Sequence, residues 1–255
     1  MMISACSAKM LTLNSGIRLQ LIMSCAITNE DCQKWSNTIK DDSSFDVLMP
    51  ELKPITDRIN QESSFAVHLV KRNTVISSIL AFTSSLEFFL KDIVGLCLIR
   101  NSSLRKKAFS NYKISATDLE KYHTIDQIKK VHIEAISNLQ TSGSLFIPKF
   151  RKMSKFLGLK DNSDNTKLLK SLDSIWELRN RLAHTNHNSI PDFSFVYGET
   201  RFQLHNEITS FDYNLFIINL CSLFADAIDY LVKIDSDALL KWGANDFLES
   251  SDIIK

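Results

Sequence analysis

An arginine, an asparagine and a histidine stand close together at positions 179, 180 and 184. Histidine titrates near neutral pH and can take or give a proton. Arginine presents a planar, permanently charged fork that matches phosphate oxygens. Asn180, one helical turn before His184, can orient the imidazole or the phosphate. On an ideal helix each residue advances about 100°, so with His184 at zero, Asn180, Glu177 and Asp173 fall within about 40° of it. These four make one polar stripe. Leu168, Leu172, Ile175, Leu178 and Leu182 take the opposite arc, which should face the core. Arg179 lies about 140° from His184, on the apolar side. A guanidinium there must find a carboxylate or line a cleft or interface, because an unpaired buried charge is very unfavourable. The same spacing also suits a structural role, with Arg179 against an acid such as Glu87 and His184 favoured by the helix dipole.

Other candidates are more dispersed. His187 and His205 flank the cluster and read as turn or surface residues, while His68, His123 and His132 have no Cys or His partner at zinc-ligand spacing. No metal site is expected. Nor is there a nucleophile elbow, a phosphate-binding glycine loop or a paired-cysteine motif. The five cysteines (Cys6, Cys25, Cys32, Cys97, Cys221) are scattered, which suits a reducing, cytoplasmic compartment. The formal charge is only +1, so no global field points to nucleic acid. Two segments are nonetheless free of acids and basic. Residues 93–117 hold Arg105, Lys106 and Lys107, and residues 135–160 hold Lys149, Arg151 and Lys152. Phe150 and Phe156 in the second segment could stack on bases, which makes both segments candidate RNA contacts. From 222 onwards the balance is acidic.

The elements that must position these residues are helical. Six Gly and four Pro in 255 residues leave few breakers, and 44% hydrophobic with 23% charged residues is ordinary globular usage. Residues 1–50 show no sustained period and are expected to be a poorly defined extension, followed by one helical domain over 51–255. Pro54 suits a first helical turn. Thr74 suits the N-cap of a long central helix running to about 100. Glu87, Lys91 and Asp92 in its apolar stretch mark it as a core helix rather than a membrane span. A polar link over 100–114, a helix near 116–139 breakable at Thr124, and a short basic helix over 148–158 follow. The helix over about 166–185 carries the cluster, launched by the turn-forming residues 161–165. Residues 192–209 then alternate around Gly198 as a hairpin or extended excursion. A helix from Asp212 to about 232 and a short one around 236–242 close the chain. Lys9 and Arg18 interrupt any signal-peptide core.

Trp176-Glu177-Leu178-Arg179-Asn180-Arg181-Leu182-Ala183-His184-Thr185 resembles the motif helix of the HEPN superfamily, in which an Arg, a polar residue and a closing Ala-His end a helix. The nearest branch is the RiboL-PSP-HEPN-like group, where the motif follows a long apolar helix with an embedded acid, similar to Ser85–Asp92 here. The resemblance implies an all-α, HEPN-type bundle and a metal-independent endoribonuclease without a cofactor. Arg179 and His184 would be catalytic, Asn180 and Glu87 supporting. Products would carry 2′,3′-cyclic phosphate and 5′-hydroxyl ends. Such sites resemble composite clefts between two protomers, so a homodimer is implied, as is a toxin or antiviral effector held by an antitoxin or sensor protein. A non-catalytic module that binds RNA, a nucleotide or a protein is the alternative.

Overall fold

The computed structural model of the chain describes residues 4–113, 121–122, 124–160, 165–184, 193–197, 200–204 and 213–242. They are helical apart from one hairpin. In chain order the elements are α1 (Ala5–Cys25), α2 (Asn29–Asp41), a 3₁₀ turn (Ser43–Leu48), α3 (Met49–Gln61), α4 (Ser63–Arg100) and α5 (Ser102–Asn111). They continue with α6 (Ile125–Gln140), α7 (Phe146–Leu157), α8 (Thr166–His184), β1 (Phe193–Tyr197), β2 (Thr200–Leu204) and α9 (Tyr213–Trp242). The strands pair antiparallel, with Phe193 opposite Leu204 and Tyr197 opposite Thr200. Gly198 and residues 161–164 lie outside the described residues.

Several boundaries differ from the sequence reading, each for a local reason. Residues 5–25 and 29–41, in the stretch expected to be a poorly defined extension, form two helices. The apolar residues of α1 spread around its circumference and so hide the helical period, while Thr28 and Asp31 form a reciprocal capping box that starts α2. The polar link at 100–114 is largely the helix α5, capped by Asn101, whose Oδ1 accepts from the Leu104 amide at 2.8 Å. Thr74 is internal to α4, and its hydroxyl donates to the Val70 carbonyl at 2.9 Å. Pro50, rather than Pro54, occupies the first turn of α3. Thr124, expected as a break within a helix near 116–139, is the N-cap of α6 through a capping box with Gln127. The two expected C-terminal helices are one, α9.

The chain divides into two compact units. One comprises residues 1–14, 83–177 and 225–255, and the other 15–82 and 178–224. In the first, Leu86, Leu90, Phe146, Phe150, Trp176 and Leu231 are almost wholly buried. The first turn of α1 is fastened there to α9. The Ser4 amide and the Ser7 hydroxyl donate to Oδ2 of the fully buried Asp235 at 2.7 and 2.6 Å. In the second unit, Leu21, Ile79, Leu178, Phe216 and Leu220 are buried, and Phe82 stacks on Phe224 with centroids 3.6 Å apart.

Candidate functional site

The helix that carries the candidate cluster, α8, presents Leu172, Ile175, Trp176 and Leu178 to the interior and leaves Glu177 exposed. Asp173, expected on one stripe with His184, has a different task. Its Oδ1 accepts from the Ile147 amide at 2.7 Å. The first turn of α7 lacks a capping side chain of its own, because Leu145 sits at the N-cap, so a carboxylate from α8 satisfies its orphan donor. Burial pushes the Asp173 carboxyl above the usual range, and the Ile147 and Phe146 amides partly offset this.

Arg179 and Asn180 are half-buried, and Arg179 Nη1 donates to Asn180 Oδ1 at 3.1 Å. The helical projection offered Arg179 a carboxylate or a second protomer. The observed partner is the neighbouring amide, which neutralises no charge. Among the described residues no carboxylate lies at ion-pair distance from the guanidinium. His184 is the last residue of α8, and its side chain lies outside those described, as do His123, His187 and His205.

Glu87, expected beside Arg179 or Lys91, lies 3.6 Å from Lys91 and accepts from Lys149 at 2.9 Å. Lys149 therefore leaves the set of RNA contacts. It is only 7% exposed, and its ammonium also stands 5.1 Å from the centre of the Trp176 ring. Arg105 is half-buried and caps the end of α4, donating from Nη1 to the Leu98 and Ile99 carbonyls at 3.1 and 2.7 Å. Lys106, Lys107 and Arg151 are exposed, and the half-buried Lys152 donates to Ser142 Oγ at 2.8 Å.

Lys107 and Lys152 meet across a feature that no single stretch of sequence reveals. A cleft of about 650 Å³ is walled by α5, α6, α7 and the last turn of α9. Lys155 and Lys241 also line it, so both acid-free segments and the acidic C-terminal segment each contribute cations. Among the described residues no Asp or Glu lines it. Tyr112, Phe156 and Trp242 supply aromatic surface, with Leu104, Ile136 and Leu139 making an apolar wall. His132 stacks on Phe109 at 4.0 Å, and its Nε2 donates to the Tyr112 carbonyl at 2.9 Å, which holds the end of α5 in place. Trp242 Nε1 donates to the Leu157 carbonyl at 2.8 Å, and Lys241 Nζ donates to the Gly158 carbonyl. Lys241 and Trp242 escaped the sequence reading because they sit in a net-acidic segment, where a charge count masks one lysine.

No protein-family model matches the chain, and neither a curated protein nor a solved structure does. Among the described residues, no three His, Cys, Asp or Glu side chains converge as a metal would require. Among the described residues one helix, α9, is long and apolar enough by itself to cross a membrane, with a mean hydropathy of 1.8 over its best window. Of that window 61% is buried within the protein, the pattern of a core helix.

Proposed function

We propose that the chain is a HEPN-type, metal-independent endoribonuclease whose reacting groups are Arg179 and His184. The observation that supports this most is the state of Arg179: half-buried, held by Asn180, and paired with no carboxylate among the described residues. A guanidinium kept this way retains its charge for an anion. In the proposed reaction, the ribose 2′-oxygen attacks the adjacent phosphorus while His184 assists proton transfer. The P–O2′ bond forms, the P–O5′ bond breaks, and the 5′-oxygen takes a proton. Arg179 stabilises the extra charge on the phosphorane, and Asn180 fixes the fork.

The proposal includes a homodimer. Leu19, Ile22 and Met23 of α1 and Leu215 and Ile218 of α9 are all 49–63% exposed. Cys221 Sγ reaches the Arg18 carbonyl at 4.0 Å, which sets these stretches side by side. An apolar strip of this kind favours covering by a second copy. A cytoplasmic toxin or antiviral effector, restrained by an antitoxin or sensor, is the proposed setting. The five free cysteines, four of them buried, suit a reducing compartment.

The test is cleavage of a mixed RNA substrate by purified protein in excess EDTA, with analysis of the ends. Products with 2′,3′-cyclic phosphates, lost in both Arg179→Ala and His184→Ala, are expected. Cleavage that survives both substitutions would overturn the assignment. A non-catalytic module is the second reading, and the lysine-lined cleft favours it. In that case RNA binds, yet neither substitution changes any product.

A further inference from the structure

We propose that the cleft between α5, α6, α7 and the end of α9 binds a nucleoside phosphate. Lys107, Lys152, Lys155 and Lys241 would take the phosphates, and Trp242, Phe156 and Tyr112 would take the base. The inference holds whether or not the motif on α8 cleaves RNA.

Four ammonium groups around one concavity repel each other, and a chain with a net charge of only +1 has no general excess of cations to explain them. Among the described residues none of the four is ion-paired with a carboxylate. Two are held in place by neutral acceptors, Lys152 by Ser142 and Lys241 by Gly158. Each ammonium has three donors, so these bonds fix the group and leave donors for an anion. Lys107 and Lys155 are exposed at the rim.

The rest of the lining excludes a bare anion as the whole ligand. An inorganic phosphate would leave the aromatic and aliphatic wall in water, whereas a base can stack on it. The volume of about 650 Å³ falls within the range of small-molecule sites, roughly 300–1,000 Å³. The indole of Trp242 is anchored through its Nε1 and so presents a fixed surface. A free nucleotide and one nucleotide of a single-stranded RNA share this chemistry.

The experiment titrates the full-length protein with ATP, GTP, a five-nucleotide RNA, adenosine and inorganic triphosphate, read by calorimetry and tryptophan fluorescence. Trp35 is exposed and Trp176 is buried, so Trp242 is the tryptophan lining the cleft. A mononucleotide or the RNA should bind at least tenfold more tightly than either adenosine or triphosphate. The double variant Lys107→Ala/Lys155→Ala should weaken this at least tenfold, with an unchanged circular dichroism spectrum because both side chains lie at the surface. Trp242→Phe should keep binding and abolish the fluorescence change. His184→Ala should bind ATP and GTP as well as the parent, which separates failure here from failure of the ribonuclease assignment. RNA that binds more tightly than ATP, with a salt slope reduced by about 0.7 for each lysine removed, identifies the strand as the source. ATP or GTP binding as tightly as the RNA identifies the free nucleotide. The proposal is overturned if no probe binds at millimolar concentration. It is also overturned if triphosphate binds as well as ATP, or if the double variant binds normally.

Discussion

Asn180 is the residue that holds the Arg179 fork, and in the proposed ribonuclease the reaction would depend on it. An arginine side chain has several rotatable bonds, and in water its fork samples many directions. The 3.1 Å bond to Asn180 Oδ1 selects one of them without neutralising the charge. Asn180→Ala should therefore leave folding nearly intact while slowing RNA cleavage by roughly ten- to a hundredfold, the usual effect of a misplaced catalytic group. Arg179→Lys should not restore activity, because an ammonium is a point charge that cannot present two parallel donors. Single-turnover rates on a defined oligonucleotide, beside thermal melts, check both. Cleavage unchanged in Asn180→Ala would mean that the amide does not position the fork. The projection placed Arg179 off the polar stripe but missed this contact. Adjacent helical residues point about 100° apart, and only the length of an arginine lets it reach around to its neighbour.

At the scale of elements, helices here finish each other's ends. Asp173 of α8 caps α7, Arg105 of α5 caps α4, and Lys241 and Trp242 of α9 serve the last carbonyls of α7. Lys149 of α7 likewise neutralises Glu87 of α4. Lys149→Ala should destabilise the protein by about 1–3 kcal/mol, since it removes the closer of the two ammonium partners of a partly buried carboxylate, and urea denaturation measures this. RNA affinity should not change, in contrast to substitution of exposed Lys107. Gly158, with φ of 59°, ends α7 in the left-handed region, and a Cβ there would lie 2.7 Å from Lys241 Nζ. Gly158→Ala should thus cost about 1–2 kcal/mol of backbone strain and displace Lys241 from its carbonyl. Much of the element order was legible, because α4, α7 and α8 carry strong apolar patterns, whereas Thr124, expected as a break within a longer helix, is the cap at which α6 starts. The helix α1 was not legible, since its apolar residues circle the axis, and no local rule could join α8 to the start of α7. The lysine cleft was only half legible. The two acid-free segments announced cations, but their convergence is set by packing and two of their members proved structural.

For the whole molecule, burial governs how stability responds to alkali. Desolvation, helped by nearby Asp92, pushes the Cys6 thiol from 9.0 up to about 12, and burial with Asp235 nearby does the same for Cys97. In the unfolded chain these thiols lose their protons near pH 9, whereas the folded protein keeps them. The stability they contribute is complete below pH 9 and is lost as the pH rises toward 12. Denaturation midpoints should accordingly fall across that window, and Cys6→Ser/Cys97→Ser should flatten the decline. In the native state a thiol reagent should modify Cys25, the half-exposed cysteine, well before the four buried ones. The clasp between Asp235 and the start of α1 has a different consequence, in time rather than in energy. It joins residues 231 and 228 positions apart, so nearly the whole chain must be in place before it can close. Contacts absent from the folding transition state act on the unfolding rate alone. Asp235→Asn should then release the native state faster while refolding proceeds at its former speed, making this buried carboxylate a bolt that sets how long the fold lasts once formed.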